Sequence, residues 1–222
     1  METLDITEYF KIMSRMIKVP IEFVEFPKIA RLSRECIITE KIDGTCNVVY
    51  IGEDGEFLAG SRTRWITPEQ DNHGFAKWAY EHKEELITGL GKGRHFGEWW
   101  GQGIQRNYGL KEKRFSLFNT VRWAMHGDPL RVISVSDDGI EKRQQYPPEC
   151  CHIVPILHRG IFDVELENRF VSYLLTQLEL YGSVAAPGFM KPEGIVIYHT
   201  AGNVAFKKTI FKDDQPKGGK LK

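Results

Sequence analysis

Short apolar or alternating runs recur along this chain, near Ile37, Val48, Phe96, Phe115, Ile153, Ile195 and Val204, and their spacing decides the fold class. Period-two alternation marks half-buried strands, and runs separated by short turn segments suit hairpin-like, antiparallel pairing. A parallel, doubly wound sheet needs a helix after nearly every strand, whereas here helical spacing is confined to a few windows between groups of strands. The expectation is an α+β unit whose antiparallel sheets form a cleft. The first helical window carries Leu4, Ile6, Tyr9, Phe10, Met13, Met16 and Ile17, with Pro20 ending it and an extended segment around Pro27 following. A second spans 74–90 with Phe75, Trp78, Ala79, Leu86 and Ile87; a third spans 168–181 with Phe170, Leu174, Leu178 and Tyr181. These stripes read as core faces.

A length of 222 residues fits one domain with a substantial core, so residues 1–222 are expected to form a single unit. Thirty basic and thirty acidic side chains give a net charge of zero, which is not the basic body of a tight nonspecific nucleic-acid binder. Charge is uneven, however. From Lys207 to Lys222 six lysines face two aspartates, with Pro216, Gly218 and Gly219 breaking regular structure, so 209–222 reads as a flexible basic tail that either tracks phosphates or merely solubilises. Cys36, Cys46, Cys150 and Cys151 offer no Cys-x-x-Cys spacing for zinc; the first two read as small hydrophobes and the adjacent pair suits no ordinary disulfide. With no apolar signal core and no run long enough to span a bilayer, a cytoplasmic protein without membrane contact is expected.

Glu40-Lys41-Ile42-Asp43-Gly44-Thr45 sets a lysine between an apolar run ending at Thr39 and an alternating run from Cys46 to Ile51. Two readings of Lys41 stand. An Asp-Gly pair between strands is ordinary turn chemistry. Alternatively the lysine is a nucleophile, which requires burial or neighbouring cations to favour the free amine, since a lysine near pKa ~10.4 is almost wholly protonated at neutral pH.

Later segments follow in an order that would complete a nucleotide pocket around Lys41: Ser61-Arg62 after a strand-like stretch, Phe96-Gly97-Glu98-Trp99-Trp100 ending a strand, Phe115 and Phe118 in a third, Pro192 to Tyr198 opening a fourth, and Val204 to Lys208 as a fifth. This order, over about 40–208, resembles the covalent nucleotidyltransferases, the superfamily of ATP-dependent ligases and capping enzymes. The run from Phe96 to Arg106 is most similar to the RNA ligases related to the second RNA ligase of phage T4. The resemblance implies a nucleotidyltransferase (ATP-grasp-like) domain with two antiparallel sheets, flanked by helices, around a nucleotide cleft. It implies an ATP-dependent RNA ligase in which Lys41 forms a lysyl-AMP, AMP passes to a 5′-phosphate end, and a 3′-hydroxyl displaces it. A DNA ligase with the same core is an alternative, as is a catalytically reduced nucleic-acid-binding relative. The fourteen residues after Lys208 hold no OB-fold, so a partner protein in place of an accessory domain is a further expectation.

In that frame Glu40 takes a position near the adenine amino group, or is simply a solvated strand-end acid. Arg62 has a fork suited to phosphate or ribose oxygens. Glu98 accepts from ribose hydroxyls, and Gly97 beside it permits close approach. Phe118 stacks on adenine, although Phe115 and Phe118, three apart on a strand, face opposite sides, so one of them is core. Glu193, with Glu98, is the expected carboxylate pair for Mg²⁺ or Mn²⁺ at the α-phosphate. Lys207 neutralises developing charge, and Lys208 is the second lysine of the pair. Two departures from the family pattern stand out. Adjacent lysines point to opposite strand faces, which favours Lys207 over Lys208. Relatives often have Asn where this chain has Cys46, with Asn47 one residue late unless a bulge restores it. His95 reads as structural or exposed, and Arg106, Asn107 and Tyr108 as equally suited to touching nucleic acid or not.

Overall fold

The computed structural model describes residues 5–16, 24–163 and 170–211, and divides into two units, 1–30 and 31–222. In the first, helix α1 (Ile6–Met16) starts at Asp5, whose Oδ1 accepts from the Thr7 N–H at 3.1 Å and the Thr7 hydroxyl at 2.9 Å. That is an N-cap arrangement, satisfying a donor with no partner inside the helix. The expected stop at Pro20 lies outside the described residues, as does the tail from residue 212 onward.

The second unit holds two large sheets and a ribbon. One sheet orders its strands β10-β1-β11-β12, all antiparallel: β1 (Glu35–Lys41) lies between β10 (Ile156–Ile161) and β11 (Gly194–His199), with β12 (Val204–Thr209) at the edge. A strand in the middle of a sheet covered on both faces reads as a continuous apolar run, as Cys36-Ile37-Ile38 does. Cys36, Ile38, Ile195 and Ile197 pack on α4 (Val171–Tyr181) through Val171, Leu174 and Leu178, residues at helical spacing.

The other sheet orders β4-β3-β2-β5-β6-β9: β2 (Thr45–Ile51), β3 (Phe57–Ser61), β4 (Trp65–Ile66), β5 (Gly93–Gly101), β6 (Lys113–Leu117) and β9 (Cys151–Ile153). One face buries Val49, Ile51, Phe57, Ala59 and Phe115 against α2 (Phe75–Glu81) and α3 (Lys83–Leu90). Gly97 makes the packing possible, since a Cβ there would stand 2.7 Å from the Phe115 ring. The single helical window expected over 74–90 is broken at His82, where φ is −103° and ψ 16°.

Three expectations are corrected. Among the described residues there are three sheets, not two, because β7 (Val132–Val135) and β8 (Glu141–Arg143) pair as a separate ribbon. The six-stranded sheet is not wholly antiparallel: β9 joins β6 in parallel, after an excursion long enough to bring the chain back in the same direction. Finally, β1 and β2 belong to different sheets, so residues 42–44 are not a hairpin turn but the passage from one sheet to the other.

Candidate active site

Lys41 ends β1 opposite Gly194, and strand alternation sets its side chain on the face of Ile37 and Thr39, away from α4. A cavity of about 1070 Å³ opens there, lined from the first sheet by Thr39, Lys41, Val196 and Lys207 and from the second by Arg62, Glu98 and Phe118. Glu193 precedes β11 and is 2% exposed; its Oε2 accepts from the Lys41 Nζ at 2.6 Å. Gly194 allows β12 to close on this corner, for a Cβ there would meet the Lys208 carbonyl oxygen at 2.2 Å.

The passage 42–44 is held from three sides. The Asp43 N–H donates to the Tyr108 hydroxyl at 2.8 Å, and the Asp43 carboxylate accepts from the Arg106 Nε at 2.8 Å. Arg106 also donates to the Lys191 and Pro192 carbonyls at 2.9 and 3.1 Å, so one guanidinium ties the segment after Lys41 to the segment before Glu193. The Gly44 N–H donates to the Glu98 carboxylate at 2.9 Å, and a Cβ on Gly44 would lie 2.4 Å from the Trp99 carbonyl oxygen. Only glycine fits between the nucleophile candidate and β5. Burial pushes the Glu98 carboxyl up to about 7; Glu193 and Asp43 push the same way, while the Gly44 N–H and Lys41 pull it down.

The structure sorts the remaining expected residues. Phe115 is fully buried and Phe118 is 40% exposed at the cavity, the division expected from their spacing. Lys207 pairs with Val196 and lines the cavity; Lys208 pairs with Ile195 and is turned to the other face, so its expected place beside the nucleotide is corrected. Glu40 also lines the cavity, but its carboxylate points elsewhere. Its side chain lies on the α4 side of β1, fully buried, accepting from the Ser183 hydroxyl at 2.6 Å and the Val184 and Ala185 N–H groups at 2.8 and 2.9 Å. What it gives the site is a fixed backbone and an anchored 183–186 segment. No bulge realigns Asn47: Cys46 pairs with Glu98 and Asn47 with Gly97 in unbroken register. Asn47 is buried on the far face, donating to the Gly60 carbonyl at 3.1 Å. His95 is buried against the Gly91 carbonyl at 2.8 Å, and Arg106 and Tyr108 are turned inward as braces instead of outward to a strand.

Asp43 and its Arg106 brace are the site residues that strand periodicity does not disclose. The Asp-Gly pair two residues past Lys41 is the available signal, and it is also ordinary turn chemistry. Among the described residues no group of three or more His, Cys, Asp or Glu side chains converges as a metal cage. Glu98 and Glu193, on either side of Lys41, fit the sparser set of one or two carboxylates plus water and phosphate that a Mg²⁺-type ion takes.

A family model described as RNA ligase matches residues 34–212. Among solved structures, a Naegleria gruberi RNA ligase with ATP and Mn is similar at 22% identity and a TM-score of 0.52, over 80% of this chain and 50% of that one. A form with AMP and Mn matches at 21% identity and 0.51, and an apo form at 20% and 0.51, each over 80% of this chain and 50% of that one. The chain thus spans about half the length of the structures it matches. No curated protein matches it.

Proposed function

This chain belongs to the RNA ligase family, and from that premise we propose that it is an ATP-dependent RNA ligase working through a Lys41-AMP intermediate. The observation that carries the reading is the Lys41 Nζ at a nucleotide-sized cavity, 2.6 Å from a buried glutamate and sharing that cavity with Glu98, Arg62, Phe118 and Lys207. Spacing supports it. The substituted forms of the Naegleria ligase include a lysine, an aspartate two residues on, a glutamate fifty-seven residues after that lysine, and a glutamate and lysine fourteen apart. Lys41, Asp43 and Glu98, and then Glu193 and Lys207, stand at those same intervals.

In this reading the exposed ring of Phe118 stacks on adenine and Glu98 accepts from the ribose. Arg62 and Lys207 bring positive charge to the phosphates. Glu193 orients Nζ and is the group within reach of the proton that Nζ sheds. Nζ then attacks the α-phosphorus, the bond to the leaving pyrophosphate breaks, and a phosphoramidate joins Lys41 to AMP. A divalent metal held by Glu193 and Glu98 would neutralise charge on the reacting phosphate. AMP next passes to a 5′-phosphate end, and a 3′-hydroxyl expels it as the strand is sealed. The test is to adenylylate the protein, remove ATP, and add nicked or single-stranded 5′-phosphorylated RNA or DNA. Transfer of AMP to the end, followed by joining of RNA, is expected. Joining of DNA alone would move the reading to a DNA ligase, and no transfer to either would overturn it.

A further inference from the structure

The wall that carries Glu98 runs along the cavity through Phe96 and Arg94, which line it, and continues past it to Tyr50 and Trp65. On the same face of the six-stranded sheet, Phe96 and Arg94 follow along β5, Val48 and Tyr50 along β2, and Gly60 on β3, which pairs with Trp65 on β4. Trp65 is 46% exposed and Phe96 49%. The Tyr50 and Trp65 rings lie 6.0 Å apart, and the Arg94 guanidinium sits 5.0 Å from the Tyr50 ring centre. Gly60 seats the indole: a Cβ there would come within 3.0 Å of the Trp65 ring and 2.7 Å of Val48. Trp99, Trp100 and Trp123 are all 2% exposed or less, so leaving Trp65 in water is not a general habit of this chain.

Aromatic surface of this kind, interleaved with guanidinium groups, has the chemistry of a nucleic-acid platform. Bases stack on aromatic faces whatever their identity, and arginines meet the phosphates. The ionisable side chains along this face are Arg62, Arg94 and Lys92, with one acid at each end: Glu56 beside Gly52 and Tyr50, and Glu98 beside Lys41. Charge complementarity therefore favours a polyanion over a peptide or a second copy of this neutral chain. We propose that this sheet face is a stacking platform for a single-stranded polynucleotide, with bases on Trp65 and Phe96 and backbone phosphates on Arg94, leading the strand toward Lys41. The proposal rests on the ligase reading for what the strand is there to do, and on the face itself for where it binds.

The test uses a dye-labelled, unstructured oligoribonucleotide with a 5′-hydroxyl, which offers bases and phosphates but no end to adenylylate, and follows its anisotropy as the full chain is titrated in. Trp65→Ala is expected to weaken binding roughly tenfold, the scale of losing one stacked base. Trp65→Phe is expected to restore most of the affinity. Arg94→Ala is expected to weaken binding and to flatten its salt dependence by about one phosphate contact. Labelling of Lys41 from ATP should be unchanged in Trp65→Ala, which also shows that the variant folds. Equal binding by wild type, Trp65→Ala and Arg94→Ala would overturn the platform, as would failure of the wild type to bind. Trp65-dependent self-association without oligonucleotide binding would assign the face to a second copy and overturn it too. Trp65-dependent binding with no labelling of Lys41 would leave the platform standing while the ligase reading fell.

Discussion

The two large sheets hold the side chains they bring to the cavity in different ways. In the six-stranded sheet, β5 is paired on both edges, backed by the aromatic cluster around Phe75, Trp99 and Phe115, and its Glu98 is pinned by the Gly44 N–H. In the four-stranded sheet, Lys207 rides on the edge strand β12, whose residues from Val204 to Lys208 are all exposed. Packed interiors resist displacement, whereas an edge with few buried contacts moves at little cost. The difference teaches a division: Glu98 is part of a rigid wall, and Lys207, in the proposed reaction the cation that meets the phosphates, is carried on a compliant arm.

Packing gives the largest effect with which to break this contrast. Phe115→Ala should cost about 3–5 kcal/mol in urea denaturation, against less than about 0.5 kcal/mol for Phe206→Ala on the exposed edge. Equal losses would mean that the two sheets are equally tight. Next comes the arm itself. Lys207→Ala should slow formation of the protein-AMP adduct about 100-fold, and Lys208→Ala by no more than about threefold, in a single-turnover rate measurement. The brace between the sheets is third. Arg106→Ala removes one donor from the Asp43 carboxylate and from the Lys191 and Pro192 carbonyls, and should lower stability by about 2 kcal/mol.

The smallest effect concerns pH. Glu98 titrates in the folded protein near 7, above an ordinary value of 4.5, so the folded state holds its proton more tightly than the unfolded chain does. The stability it contributes is complete below about 4.5 and is lost as pH rises through about 7, with a slope of at most about 1.4 kcal/mol per pH unit. Glu98→Gln should flatten that slope in urea midpoints compared from pH 5 to 8. An unchanged slope would show that the wall around Glu98 is wetter than its packing indicates.

Local pattern disclosed much of this. The strand around Ile37, the alternating run after Thr45 and the paired phenylalanines each follow a period that one stretch of chain contains by itself. What stayed hidden depends on residues far apart in sequence. Whether residues 42–44 form a hairpin or a passage between sheets is decided by which strands β1 and β2 pair with, and that choice leaves no trace in the six residues around Lys41. Glu40 lies next to Lys41 in sequence but belongs to the opposite face, where Ser183, Val184 and Ala185 claim its carboxylate. For Arg106 the sequence leaves contact with nucleic acid an even choice, because its partners, Asp43 and the 191–192 carbonyls, are reached only through the fold. Strand β10 and the β7–β8 ribbon also leave little trace, since the half-buried β10 and the short, largely exposed ribbon strands show no alternation of buried and exposed positions.

The central claim is that Lys41 is a nucleophile toward ATP. The protein should be incubated with a divalent metal and α-labelled ATP or GTP, denatured, and the labelled peptide mapped. Label from ATP on Lys41, absent in Lys41→Ala, is the predicted result. A folded wild-type protein that takes no label, or takes it on another residue, would contradict the account.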